Sequence, residues 1–328
     1  MINLGVIGTN WITQKFIDAA ASTGKYKLNA VYSRKLDTAR QFAQPNDCDN
    51  LFDDLQVFFE SNKFDTVYIA SPNAIHYQQV IAALKHDKNV IVEKPAFIGP
   101  YQFQSAMDTL KKHPKARLME AARNVHMPAF KAVQDQIDDI EIDGAEFTYS
   151  KYSSRYDKVL NGEIPNVFNL KFGGGALEDL GVYPVYDTVA LFGLPRTQMY
   201  YPKFISTGAD GGGVAVLNYG TFNVTLNFSK VTTSYQQSEI YCGRQTILID
   251  SAGDFTEAKL MNEGRESQIA PAYTDNPMIP EANDFAEIIN HPGNPVYEDQ
   301  YVDGLNVMQK VNALMGRLAD SAGIEYLK

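Results

Sequence analysis

Apolar and polar positions along the chain change their period about a third of the way in. Up to about residue 122, short continuous apolar runs alternate with stretches of helical spacing. The runs INLGVI, KLNAVYS, FDTVYIA, NVIVEKP and ARLME are rich in β-branched and aromatic residues, which predicts buried strands. Between them lie WITQKFIDAAAST, LDTARQFA, AIHYQQVIAALKHD and PYQFQSAMDTLKKH, with amphipathic helical spacing, and a shorter helical piece around DLQVFFESN. Strands alternating with helices imply right-handed βαβ crossovers and a parallel sheet covered on both faces.

Beyond Arg123 the period falls to two. GAEFTYSKYS, GVAVLNYGTFNVTLNFS and SEIYCGRQTILIDSAG alternate in and out, with glycines between them, which predicts a large, open, mainly antiparallel sheet. One helix is expected from about Gly174, and others around PEANDFAEIIN and GLNVMQKVNALMGRLADSAG. The chain thus reads as α/β: a doubly wound, Rossmann-type domain over 1–122, then an α+β domain over 123–328.

Composition narrows the functions open to such a chain. At 328 residues, with 45% hydrophobic and 21% charged residues, it has the make-up of a globular protein of two domains. A formal net charge of −10 disfavours general binding to nucleic acid or anionic membrane, because both would be repelled at long range. Neither Cys48 nor Cys242 sits in a Cys-x-x-Cys pair, and the five histidines show no metal-ligand spacing, so neither a disulfide framework nor a metal site is expected. No apolar run approaches the roughly 20 residues that span a bilayer. With the first strand expected from Ile2, no signal peptide is expected either, and the expected location is the cytoplasm.

The first strand runs into GVIGTNWIT. Gly8 stands where a dinucleotide-binding turn needs its first glycine, but the next two glycine positions hold Asn10 and Thr13, giving G-x-N-x-x-T. Asparagine tolerates positive φ, so Asn10 is expected to preserve the backbone path while adding a side chain near the phosphates. A helix N-terminus at Trp11–Ile12 would aim its N–H groups at an anion, with Thr9 in the turn. Alternatively this is a plain strand–helix turn. At the tip of the second strand, where an NAD site places a carboxylate, the chain offers Ser33, Arg34 and Lys35; a hydroxyl and two cations suit a 2′-phosphate, so NADP is expected over NAD.

Two later stretches, ASPNAIHYQQVIAALKHDKNVIVEKP and GGGALEDLGVYPVYDTVALFG, together with GVIGTNWIT, make the chain resemble the Gfo/Idh/MocA oxidoreductases over nearly its whole length. The resemblance implies an active-site lysine at Lys94 beside Glu93, a cofactor-lining loop at Ser71, Pro72, Asn73 and His76, and an aspartate and acid/base pair at Asp179 and Tyr183. Tyrosine at that last position, where many inositol-dehydrogenase-like members have histidine, is similar to the branch with glucose–fructose oxidoreductase, dimeric dihydrodiol dehydrogenase and NADP-linked xylose dehydrogenase. It further implies a small sugar-like substrate and a homodimer or higher homo-oligomer formed through the second domain's sheet.

The chemistry is consistent with these residues. Oxidising a carbinol by hydride transfer needs a group to take the hydroxyl proton, and tyrosine becomes a base near neutral pH only beside a cation; Lys94 is the expected one. Asp179 and Tyr183, four apart in a helix, would share a face, and Gly173 to Gly175 would let that helix approach the substrate closely. Arg155, Tyr156 and Asn169 are the candidates for substrate contact. The alternatives are a non-catalytic sensor of a dinucleotide or sugar on the same fold, and an NAD-using glycosidase.

Overall fold

The computed structural model describes residues 1–138 and 140–326. The chain divides into two compact units, one of Met1–Ala121 with Met278–Met308, the other of Ala122–Pro277 with Gln309–Lys328.

In the first unit, β1 (Ile2–Ile7), β2 (Tyr26–Tyr32), β3 (Leu51–Phe52), β4 (Thr66–Ile69), β5 (Asn89–Glu93) and β6 (Leu118–Ala121) form one sheet in the order β3-β2-β1-β4-β5-β6. Every pairing in it is parallel. The helices α1 (Trp11–Ser22), α2 (Leu36–Ala43), α3 (Leu55–Glu60), α4 (Asn73–Lys85) and α5 (Pro100–Lys112) make the crossovers. Alternate residues serve two cores: Leu4, Val6, Tyr68 and Ile91 point to one, and Ile7, Val67, Ile69, Val90 and Val92 to the other. This is why these strands read as unbroken apolar runs. On the first side, the Phe16 and Tyr68 rings stack with centroids 3.9 Å apart. Strand order reverses between β1 and β4, so the crevice beyond their carboxyl ends is where such a sheet takes a ligand.

Residues 278–308 differ from expectation. They were assigned to the second domain, but they pack with the first unit. Met278, Ala282, Phe285 and Tyr301 belong to the same buried cluster as Leu4 and Phe16. The Tyr26 hydroxyl donates to the Ala282 carbonyl at 2.8 Å, and Lys25 reaches Asn283 at 2.8 Å and also pairs with Glu287. Such contacts join residues more than 250 positions apart, and nothing local announces them.

In the second unit the elements run α6 (Pro128–Ile137), β7 (Gly144–Ser150), α7 (Tyr156–Leu160), α8 (Val182–Phe192), β8 (Thr197–Phe204), β9 (Asp210–Asn218), β10 (Asn223–Ser229), β11 (Ser238–Cys242), β12 (Gln245–Ile249), β13 (Ala258–Asn262) and β14 (Arg265–Ala270). The eight strands form one sheet, ordered β14-β13-β12-β11-β7-β10-β9-β8, antiparallel except where β10 pairs with β7. One face carries α8 over β7 and β10. The helices that follow are α9 (Ile279–Asn290) and α10 (Pro295–Ser321), and the division between units falls within α10.

The helix expected from Gly174 begins as a π-turn over Leu177–Gly181 and continues as α8. The glycines before it admit protein rather than ligand. A Cβ on Gly174 would lie 2.6 Å from the Asn166 carbonyl oxygen and from the Asn169 nitrogen, and one on Gly175, at φ +139, 2.0 Å from Asp210 Oδ1.

Candidate active site

The turn after β1 is built around Gly8. Its φ is +107, and a Cβ there would meet the Ala70 carbonyl oxygen at 2.5 Å, so only glycine lets the ends of β1 and β4 come this close. Asn10 does not take the positive φ expected of it. It is extended (φ −106) and is the N-cap of α1. Its Oδ1 accepts from Ile12 N at 2.9 Å and Thr13 N at 3.2 Å, and its Nδ2 donates to the Ala70 carbonyl at 3.0 Å. Two of the helix's spare N–H groups are therefore already satisfied from within the turn. Thr9 is half-buried, Ile12 packs against the core, and Thr13 is fully buried. Trp11 is 73% exposed, so it does not cap the core.

At the tip of β2, Ser33 is half-buried and Arg34 and Lys35 face solvent. In the loop from β4 to α4, the Ser71 hydroxyl donates to Gln79 Oε1 at 2.6 Å, Pro72 is exposed and Asn73 opens the helix. His76 was expected to touch the cofactor, but it is buried. Its Nδ1 lies 3.0 Å from the Pro95 carbonyl and its Nε2 2.7 Å from the Ser71 carbonyl. The neutral ring has a single N–H to donate, so it bonds one of these two carbonyls at a time and sits between the Ser71 loop and the residues just after Lys94. Burial pushes its pKa below the usual imidazole value. Glu93 accepts from the Tyr68 hydroxyl at 2.6 Å, and Glu120 accepts from Ala96 N at 2.9 Å. The half-buried Lys94 thus stands on a backbone held on both sides.

In the second unit, Tyr183 lies at the start of α8 and is 5% exposed. Its hydroxyl oxygen accepts from Arg123 Nη1 at 2.7 Å, and its ring meets Tyr149 edge to face at 5.2 Å. Arg123 Nη2 donates to Asp254 Oδ1 at 2.7 Å and to the Gly253 carbonyl at 3.0 Å. Lys151 completes the group, 3.1 Å from the Tyr149 hydroxyl and 3.0 Å from Asp254 Oδ2. Burial works against the Arg123 charge and against the Asp254 charge, yet each is overcome by its neighbours. Tyr183, Tyr149 and Asp254 hold Arg123 well above the usual guanidinium range, and Arg123 and Lys151 hold Asp254 below the usual carboxylate range. Asp179, on the π-turn, pairs with the buried ammonium of Lys230, which also donates to the Val167 carbonyl at 3.3 Å and lies over the Phe168 ring.

Of the substrate candidates, the exposed Arg155 lines a cavity of about 350 Å³ with Lys158, Glu163, Pro165 and Val167. Tyr156 packs against Tyr152 and Phe168. Asn169 is engaged in structure, its Oδ1 capping Lys171 N at 3.0 Å. Among the described residues no group of three or more His, Cys, Asp or Glu is arranged to hold a metal.

Residues 2–122 match the model of the Gfo/Idh/MocA oxidoreductase family, NAD-binding Rossmann fold. The chain is 37% identical over 300 residues to YgjR, an oxidoreductase of Escherichia coli, spanning 89% of this chain and 91% of that one. It is 35% identical over 321 residues to IolU, a scyllo-inositol 2-dehydrogenase (NADP(+)) of Bacillus subtilis, spanning 96% and 98%. The chain belongs to the Gfo/Idh/MocA oxidoreductases. The fold agrees with that of KijD10, a 3-ketoreductase of Actinomadura kijaniata solved with NADP and TDP-benzene, at a TM-score of 0.83 and 20% identity over 98% and 97% of the two chains.

This Gfo/Idh/MocA member is therefore a nicotinamide-dependent dehydrogenase or reductase acting on CH–OH groups. Its own residues fit a dinucleotide. The turn at Gly8 lacks any side chain where the two strand ends meet, and the β2 tip presents exposed cations without a carboxylate in Ser33-Arg34-Lys35. Sequence reasoning missed Arg123, Asp254, Lys151 and Lys230. The polar Arg123-Asn124 directly after a strand was the one local signal; the others lie in stretches that read as ordinary sheet and loop.

Proposed function

We propose that the enzyme transfers hydride between NADP and a hydroxyl or carbonyl of a sugar, polyol or cyclic diol in the cytoplasm, without a metal. The observation that carries this reading is Tyr183, a buried phenol whose oxygen accepts a hydrogen bond from a cation at 2.7 Å. A phenol so placed can give up and regain a proton, as carbinol–carbonyl interconversion requires. The turn of Gly8, Thr9, Asn10, Trp11 and Ile12 would hold the pyrophosphate, and Ser33, Arg34 and Lys35 the 2′-phosphate. The Ser71-Pro72-Asn73 loop, Glu93 and Lys94 would line the nicotinamide. When bound, the nicotinamide supplies the acceptor or donor of hydride. Tyr183 takes the substrate hydroxyl proton in oxidation and returns one in reduction, Lys94 donates to the substrate oxygen, and Asp179, fixed by Lys230, orients the substrate. Arg155, on its cavity, is the remaining candidate for contact with the rest of the substrate.

The same reading assigns the outer face of β8 and β9 to a second copy of the chain. Met199, Tyr201, Val214 and Val216 are exposed there, an apolar stripe that a homodimer would cover; a monomer in sedimentation at micromolar concentration would count against it. The test of activity is absorbance of reduced nicotinamide with NADP+ and a panel of aldoses, inositols and cyclic diols, repeated with NAD+. Turnover of one compound class with NADP+ is expected, and a flat trace across the panel would refute the substrate class.

A further inference from the structure

We infer that Arg123 is the residue that sets the charge on the Tyr183 hydroxyl, acting as a positioning residue for the proton transfer. This deepens the dehydrogenase reading and rests on Tyr183 as its acid/base, while moving the cation's role from Lys94 to a residue of Tyr183's own unit.

The geometry is a clamp made by two consecutive residues. Arg123 and Asn124 open the short helical turn that follows β6. Arg123 Nη1 holds the Tyr183 hydroxyl oxygen at 2.7 Å, and Asn124 Nδ2 donates to the Tyr183 carbonyl at 3.1 Å and to Asp187 Oδ1 at 2.8 Å. Tyr183 is thereby fixed at both ends. The Arg123 side chain is 13% exposed, and its guanidinium carbon is 4.9 Å from the Tyr183 ring centre, so little water screens the pair.

The surrounding charges favour a positive environment. Facing the Tyr183 side chain and its clamp are Arg123, Lys151, Tyr149, Asp254 and Asp187. One carboxylate, Asp254, is shared by the two cations Arg123 and Lys151. Asp187 is fully buried, burial pushes its carboxyl well above the usual range, and its Oδ1 accepts from Asn124 rather than from Arg123. A guanidinium cannot shed its proton in a protein, so the donor on the phenol oxygen is always present and always charged. With that oxygen accepting from Arg123, the phenol's own proton is the one left to exchange, and the phenolate left behind is stabilised where it forms.

The test is a titration of the protein labelled with [¹³Cζ]tyrosine, in which the Tyr183 resonance is identified by its loss in Tyr183→Phe. In Arg123→Met the pH at which that resonance moves rises by roughly one to three units. Arg123→Lys, which keeps charge but loses the fork, falls between, and Lys94→Met leaves the midpoint nearly in place. An unmoved midpoint in Arg123→Met, or an equal rise in Lys94→Met, overturns the inference. Should Arg123→Met fail to fold, Asp254→Asn provides the opposite displacement: removing the counter-ion should lower the midpoint, and no change overturns the inference. No substrate enters this experiment, so a shift as described with a silent NADP+ panel would uphold the clamp and refute the proposed substrate class separately.

Discussion

The turn after β1 and the group around Tyr183 solve the same problem, holding polar atoms still, by different means. At the turn, neutral groups do the work: Asn10 caps Ile12 and Thr13 beside it in the chain and reaches the Ala70 carbonyl 60 positions away. Around Tyr183, formal charges from three separate stretches converge, those of Arg123, Lys151 and Asp254, with Arg123 and Asp254 131 positions apart. The turn stays open to solvent at Trp11, whereas Tyr183 is sealed. In the proposed function the turn meets the pyrophosphate with neutral groups and leaves formal charge to Arg34 and Lys35 at the tip of β2. For the proton transfer proposed at Tyr183, permanent charge beside a buried oxygen acts in a low dielectric, where it has most effect.

That contrast can be broken at several points. Tyr183→Phe should lower turnover by roughly 10²–10⁴ while dinucleotide affinity stays nearly unchanged; a fully active variant would remove Tyr183 from the chemistry. Next in size is the Asp179–Lys230 pair, in which the Lys230 side chain is 2% exposed and that of Asp179 36%. Asp179→Asn strands a buried ammonium and should cost about 2–3 kcal/mol, read from urea unfolding, and Lys230→Met should cost less because Asp179 keeps water. Equal losses would mean that the charge is not what matters there. At the first unit, Arg34→Ala should weaken NADPH binding about tenfold and NADH binding hardly at all, since only NADPH carries the extra phosphate; equal losses would dismiss Arg34 as its reader. Asn10→Ala should cost about 1 kcal/mol of stability through the lost cap, and a neutral result would show that the turn holds without it.

The smallest effect is a pH dependence. Burial lowers the His76 pKa from its ordinary 6.5. Below that value the unfolded chain binds a proton that the folded chain refuses, so stability falls as pH drops through 6.5 and is fully present above it. His76→Gln should flatten that part of the stability profile between pH 7 and pH 5, and an unchanged slope would place the titration elsewhere.

Much of this could be read from the chain itself, and the reason is range. Strand and helix periods in the first 121 residues are local, so β1, β2, β4, β5, β6 and the helices between them were legible, as were the strand-end positions of Gly8 and Lys94, whereas β3, two residues long, was too short to show a period. The alternation after residue 143 was legible too, because one covered face imposes it. Readings failed where a residue's partner is remote. Asn10 was expected at positive φ because asparagine tolerates it where the motif has glycine; its bond to Ala70 and its capping of α1 decide otherwise. Gly174 and Gly175 looked like an approach to substrate, but Asn166 and Asp210 occupy the space. His76 looked like a ligand contact until Pro95 closed over it.

The sequence by itself determined the two kinds of sheet, the dinucleotide-type turn and the family, because each is written in short-range patterns of side-chain size and polarity. Tertiary structure alone decided that residues 278–308 return to the first unit, and that Arg123, not a residue of any recognisable motif, grips Tyr183. Burial and charge pairing act between atoms in space, and their partners need not be near in the chain.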